Sequence, residues 1–139
     1  MNMMVEQSPL PSRHAVRSLV EDLVGRTVDL TDDDAVGNKP TNIVAVYVND
    51  KVNLSAVIVV DIECAARLGG ALGMLPIGGV EDAIEEKDLP ELMRDNCYEV
   101  LNVLAAVFNV ENAPHVRLYE MYGPNADLPA DVAGLAYAV

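Results

Sequence analysis

Apolar residues recur along this chain at two spacings, and the spacing distinguishes predicted helices from predicted strands. Helical spacing begins after Ser12, which can cap a helix, and ends at Gly25. Two runs rich in Val and Ile, 42–48 and 52–60, predict strands joined by a tight turn. Residues 61–68 then predict a short helix that ends in glycines.

The rest of the pattern completes an alternation of helices and strands. A long helix is predicted over residues 89–110, after an acidic segment with a helical turn or two. Further strands are predicted over 27–30, 116–122 and 133–139. A β-hairpin followed by helices predicts an α+β fold, an antiparallel β-sheet with helices packed on one face.

Length and composition limit the number of domains and the kind of core. A chain of 139 residues fits one domain. Hydrophobic residues make up 51% but aromatic residues only 4%, so the core must be aliphatic. Residues 1–11 are polar and contain proline, which predicts a flexible N-terminal tail before a single α/β domain over 12–139.

The chain is strongly acidic. It has 22 acidic and 9 basic residues, a net charge of −13. A field of this sign repels phosphate backbones and anionic lipid surfaces, which argues against nucleic-acid binding. The same charge favours a partner with a basic patch, although acidity also serves solubility alone.

The cysteines and the apolar runs indicate the compartment. Cys64 and Cys97 each lie within an apolar pattern, with no CxxC or Cys/His cluster, which predicts two buried free thiols and no metal site. The apolar runs, such as 56–60, are too short to span a bilayer, so no membrane insertion is expected. With no signal-peptide pattern, a cytoplasmic location is the expectation.

The long helix has a recognisable start and two distinct sides. Asp88 is a suitable N-cap, Pro90 fits the first turn, and Glu91 stands in the position of a capping box. At about 100° per residue, one side is apolar. Its members are Met93, Cys97, Val100, Leu101, Leu104 and Phe108. The opposite side carries Glu91, Asp95, Glu99, Asn102, Ala106 and Asn109.

Glu99 and Asn102 are neighbours on the polar side because they stand three residues apart. Ala106 follows one turn later and leaves room for a partner to reach the Asn102 amide. A solvated face is the ordinary interpretation of such a side. However, a solvated face usually mixes Lys and Arg with Glu, and this one has no basic residue. Asparagine is also a poor residue for the middle of a helix.

The segment Asp95-Asn96-Cys97-Tyr98-Glu99-Val100-Leu101-Asn102 resembles the D/S-x3-E-x2-N signature of the CheC/CheX/FliY chemotaxis phosphatases. The preceding strand, helix, glycine-marked turn and acidic stretch resemble that family too. Pro124, with 21 residues between it and Asn102, lies near the family's proline. One motif copy makes the single-motif, CheX-like members the nearer comparison, and these can form homodimers.

The resemblance implies removal of phosphate from the aspartyl phosphate of a CheY-like response regulator. Asn102 would orient the attacking water, because an amide both donates and accepts hydrogen bonds. Glu99 would pair with a lysine of the partner. Asp95 would be a peripheral partner contact, with Glu91 and Ala106 on the same side. The Mg²⁺ would belong to the partner, so no cofactor is expected in this chain.

Two other interpretations remain open on the sequence. The same fold could be a non-catalytic signalling or adaptor module that binds a receiver domain or self-associates. The motif could also be a chance occurrence in an unrelated acidic α+β domain. Turnover separates the phosphatase from the adaptor, and the chance interpretation predicts no binding to any receiver domain.

Overall fold

A computed structural model describes residues 3–28 and 36–137 of the chain. The helices, strands and one 3₁₀ turn of these ranges follow in chain order. They are α1 (Arg13–Val24), β1 (Ile43–Asn49), β2 (Leu54–Val60), α2 (Ile62–Leu72), α3 (Ile77–Glu86), α4 (Glu91–Val103), the 3₁₀ turn (Leu104–Val107), β3 (Val116–Tyr122) and α5 (Ala130–Ala136). The predicted α+β class is confirmed.

The sheet is antiparallel, with β1 in the centre and the strand order β2-β1-β3. The predicted hairpin is confirmed, with Ile43 opposite Val60 and Tyr47 opposite Ala56. Its turn is built on Asn49, whose side-chain oxygen accepts hydrogen bonds from the backbone N–H groups of residues 51 and 53, each at 3.0 Å. An Asn that bonds its own downstream backbone is a common turn device.

The larger core lies on one face of the sheet. Alternate residues of β1, Ile43, Ala45 and Tyr47, point into it because successive strand side chains point to opposite faces. Buried aliphatic residues that pack against this sheet face come from helices α2, α3 and α4 and from the 3₁₀ turn. Helix α1 contributes partly buried ones. The aliphatic character expected from the composition is therefore found in this core.

The second face of the sheet is covered by α5, which corrects two expectations. Residues 133–139 were predicted to be a strand, but residues 130–136 form a helix that begins directly after Pro129, and residues 138–139 lie outside the described ranges. Val132 of this helix is buried against Val44 and Val46 of β1. Helices therefore pack on both faces rather than on one, because every residue of β1 is apolar or buried and both faces need covering.

The first described residues lie along β2. Val5 forms a parallel bridge with Leu54, and the N–H of Ser8 donates to the carbonyl of Ser55 at 2.8 Å. Residues 4–8, within the segment expected from the sequence to be a tail, thus add backbone hydrogen bonds to the first half of β2. The predicted strand at 27–30 is not found at Thr27 and Val28, and its last two residues lie outside the described ranges.

Helix α4 begins later than predicted and changes character at its end. Its N-cap is Pro90, and no side chain caps it, so the capping box predicted for Asp88 and Glu91 is wrong. Instead, the carboxylate Oδ1 of Asp88 lies 3.8 Å from the guanidinium Nη2 of Arg94. The helix ends at Val103 and passes into the 3₁₀ turn Leu104–Val107, so it is shorter than the helix predicted over residues 89–110. Among the described residues, no helix combines the length and apolar character needed to cross a membrane.

Tyr47 ties the sheet to the end of α4. The side chain is fully buried, and its hydroxyl donates to the carbonyl of Leu101 at 2.5 Å. Its ring centroid lies 5.3 Å from that of Phe108. Burial, and then the neighbouring Cys97 thiol, raise the pKa of Tyr47 above its usual value. The hydroxyl is therefore neutral and available as a donor at the point where α4 becomes the 3₁₀ turn.

We expect Tyr47→Phe to lower the free energy of unfolding by about 1–3 kcal/mol, because the buried Leu101 carbonyl loses a hydrogen-bond donor that no water replaces. Urea denaturation followed by circular dichroism measures the change. Tyr119→Phe removes the same hydroxyl from an exposed position of β3 and should leave the midpoint unchanged. Equal midpoints for the two variants would show that the Tyr47 bond contributes nothing.

Candidate functional site

Helix α4 is positioned by a close backbone approach to α2. A β-carbon at Gly69 would collide with the carbonyl oxygen of Met93 and lie 3.2 Å from the carbonyl carbon. The side-chain amide of Asn96 donates to the carbonyl of Gly69 at 3.0 Å. Gly69 and Gly70 lie inside α2, not at its end as predicted. Gly69 lets the backbones of α2 and α4 meet, whereas Gly70 makes room for the side chain of Val80 in α3.

The opposite side of α4 is exposed to solvent along its whole length. The structure places four of the five predicted site residues there, and the fifth on the exposed side of the 3₁₀ turn that follows. They are Glu91, Asp95, Glu99, Asn102 and Ala106. The predicted apolar side is buried at every position, from Met93 to Phe108. The helical spacing seen in the sequence therefore identified both sides of α4 correctly.

The polar groups of this face have no partners within the described chain. Glu91, Asp95, Glu99 and Asn102 make neither a hydrogen bond nor an ion pair with any described residue. The Asn102 amide is thus free to donate and to accept, and the Glu99 carboxylate is free to receive a cation. A face with three unpaired carboxylates favours a positively charged partner.

Asn109, which the spacing placed on the same side, has a different role. Its amide donates to the carbonyl of Val116 at 3.0 Å, and its oxygen accepts from the Val116 N–H at 2.7 Å. These two bonds fasten the segment after the 3₁₀ turn to the start of β3. Asn109 is therefore structural, and the free polar face ends at Ala106.

The exposed side of α4 also carries large apolar residues that the sequence interpretation left out. Leu92 is 57% exposed and Val103 is 38% exposed. At about 100° per residue, both lie within about 40° of Glu99. Tyr98, 39% exposed, borders the face beyond Glu91. Their exposure could have been predicted from a helical wheel, because these positions lie outside the buried side of the helix.

Leu92, Val103, Glu99 and Asn102 together form what we call the α4 face. These side chains offer a partner protein both apolar and negatively charged atoms to contact. The apolar atoms can exclude water at the centre of a contact, while the charges set its orientation. The arrangement is thus suited to protein recognition.

The two thiols lie in different environments, which corrects the expectation that both are buried. Cys97 is buried on α4, whereas Cys64 is exposed in the first turn of α2. Desolvation, and then the charges of Asp61 and Glu63, raise the pKa of Cys64 to about 11. Burial, and then Cys64, raise that of Cys97 to about 12. Both thiols are protonated at neutral pH and are poor nucleophiles.

No family model, no curated protein and no solved structure matches this chain. What the α4 face does must therefore be inferred from its own residues. Within residues 3–28 and 36–137 no three His, Cys, Asp or Glu side chains are grouped so that they could hold a metal ion. His14 contacts Arg17 of the same helix. Its imidazole Nδ1 lies 3.1 Å from the guanidinium Nη2.

Proposed function

We propose that the α4 face binds the receiver domain of a CheY-like response regulator and hydrolyses its aspartyl phosphate. The observation that carries this proposal is the placement of Glu99 and Asn102. They are adjacent, exposed and unpartnered within a segment that resembles the CheX-like motif. Their exposure leaves both side chains accessible to a partner protein.

Asn102 would orient the attacking water in line with the phosphorus–oxygen bond to be broken. Its amide can accept a hydrogen from the water and donate to a phosphoryl oxygen, and it needs no titration. Phosphoryl transfer depends mainly on position and electrostatics, so one correctly placed amide can have a large effect. Mg²⁺ would be held by the receiver domain and would neutralise the developing charge.

Glu99 would form a charge-assisted hydrogen bond with a lysine beside the phosphorylated aspartate of the partner. Asp95 and Glu91 extend the negative charge along the helix and would steer a basic patch toward the face. Leu92 and Val103 would pack against the partner and exclude water around the reacting groups. Ala106 leaves space beyond Asn102 for the phosphoryl site.

The experiment measures phosphate release from a receiver domain of the same genome after phosphorylation by acetyl phosphate. The wild-type protein should accelerate the release, whereas the Glu99→Ala/Asn102→Ala double variant should leave the spontaneous rate unchanged. Both positions are exposed and unpartnered, so the melting temperature should change little.

Glu81→Ala/Asn38→Ala is the matched control, since it removes the same two side-chain types from exposed positions elsewhere. This variant should retain the wild-type rate. Equal release rates with wild type and with the Glu99/Asn102 variant would refute catalysis by these residues.

The second candidate is the non-catalytic adaptor, and exposed apolar residues on the α4 face favour it. Leu92 and Val103 suit a stable contact and have no role in orienting water. An adaptor predicts receiver binding without faster phosphate release. Titration calorimetry with the same receiver domain therefore separates it from the phosphatase.

A further inference from the structure

A cavity of about 840 Å³ lies between α1, α2, the 3₁₀ turn and the second half of β2. It is separate from the α4 face. The apolar residues of α1, among them Val16 and Val20, face this space, and no residue of α1 is buried. An amphipathic helix normally buries its apolar side against the core. Here that side borders a volume within the range of small-molecule sites, about 300–1,000 Å³.

The cavity wall is largely apolar, with contributions from four parts of the fold. Val20 comes from α1, Ile58 from β2, Leu68 from α2, and Phe108 from the residue after the 3₁₀ turn. A wall of this kind offers dispersion contacts and few hydrogen bonds, so it selects an apolar chain over a polar molecule.

The rim of the cavity carries two acidic and two basic residues, and within residues 3–28 and 36–137 only one of them lacks a partner. The Asp61 carboxylate accepts the Cys64 N–H at 2.8 Å, which caps α2. The Glu63 carboxylate accepts from Arg67 at 3.1 Å. Arg26 makes neither an ion pair nor a hydrogen bond with the described part of the chain. Among the described residues, the charge at the rim that is left unpaired is therefore positive.

Arg26 and Arg67 also line a smaller groove of about 190 Å³ next to the cavity, so both lie at the boundary between the two. This placement matters in a chain whose net charge is −13. Such a chain repels anions in general, so anion binding must depend on a local group. The cavity thus has largely apolar walls and a cation at its rim. Such a site fits a molecule that has an apolar chain and an anionic head.

We propose that this cavity binds an amphipathic carboxylate with an aliphatic chain. The chain lies between α1 and β2, and the carboxylate accepts hydrogen bonds from Arg26. This proposal does not depend on the function of the α4 face, because none of the residues assigned to that face lines the cavity.

Dodecanoate is the probe, with dodecylammonium as the matched compound of equal chain length and opposite charge. Titration calorimetry of the full chain, below the concentrations at which either compound forms micelles, should show one dodecanoate per protein. We expect dodecanoate to bind at least tenfold more tightly than dodecylammonium. Non-specific adsorption to a protein of charge −13 would give the opposite order, and that order would overturn the proposal.

Two variants locate the site. Ala71→Leu extends a side chain of α2 into the cavity and should abolish dodecanoate binding. Arg26→Gln should weaken it about fivefold, the size expected for one partly exposed ionic contact. Arg117→Gln removes the same charge from an exposed position of β3 and should have no effect. Unchanged binding by the first two variants would refute the site.

The reactivity of Cys64 tests the proposal in the wild-type protein, so the result does not depend on whether a variant folds. Its exposed thiol lines the cavity, whereas Cys97 is buried. Bound dodecanoate should slow alkylation of Cys64 by N-ethylmaleimide at pH 9, and an equal concentration of dodecylammonium should slow it less. An alkylation rate that dodecanoate leaves unchanged would place the ligand elsewhere and contradict the proposal.

Discussion

Replacing Asn102 by alanine is expected to lower the maximal rate of receiver dephosphorylation about 100-fold, the size of effect that loss of one positioning group can produce. The amide is exposed and makes no hydrogen bond within the described chain, so its loss should not affect folding. A group that acts only on the water changes the rate at saturation and leaves the apparent affinity for the partner unchanged. Steady-state kinetics with a phosphorylated receiver measures both.

Glu99→Ala is the complementary variant, because Glu99 is assigned to docking. It should raise the receiver concentration needed for half-maximal rate and reduce the maximal rate less than Asn102→Ala does. Ala106→Trp should block the face sterically, whereas Ala15→Trp places the same bulk on an exposed position of α1 and should have no effect. A wild-type maximal rate for Asn102→Ala would contradict the assigned role of the amide.

Gly69→Ala is expected to destabilise the protein by about 2 kcal/mol, within the range for overpacked sites. The new β-carbon would overlap the Met93 carbonyl oxygen, which belongs to the backbone and cannot rotate away. Helices α2 and α4 must then separate, which strains the hydrogen bond from Asn96 to the Gly69 carbonyl. The better helix propensity of alanine recovers only about 1 kcal/mol. Urea unfolding measures the net loss.

Gly78→Ala is the matched control, since it makes the same change in helix α3, where a β-carbon would meet nothing within 4 Å. Here only helix propensity changes, and the variant should be slightly more stable, by about 0.5 kcal/mol. Opposite signs for the two variants would confirm that the α2–α4 approach, rather than helix propensity, requires glycine at position 69. Equal effects would show that this approach is not tight in solution.

Helical spacing was sufficient to predict which residues of α4 are buried and which are exposed. The buried side from Met93 to Phe108 and the exposed residues Glu99 and Asn102 were all predicted correctly. A helix has one period, so the side opposite the core can be read from the chain. The role of those residues stays a prediction, because exposure and adjacency allow docking as readily as catalysis.

Residues 130–136 show where local pattern is insufficient. A short apolar run has no clear period, and strand and helix are hard to distinguish in it. The predicted strand was wrong because α5 is needed to cover Val44 and Val46 on the second face of the sheet. Similarly, Asp88 has the residue type of an N-cap, yet its side chain lies toward Arg94 and does not cap α4.

The sequence by itself determined the α+β class, the hairpin and the two sides of α4, since each depends on residue periodicity or on a local turn. The tertiary structure alone decided which glycine of α2 meets the backbone of α4, which face α5 covers, and which apolar residues border the cavity beneath α1. These features depend on how distant segments approach one another. For Asn102, the sequence supplied the residue, and the fold left its amide exposed and without a hydrogen-bond partner among the described residues.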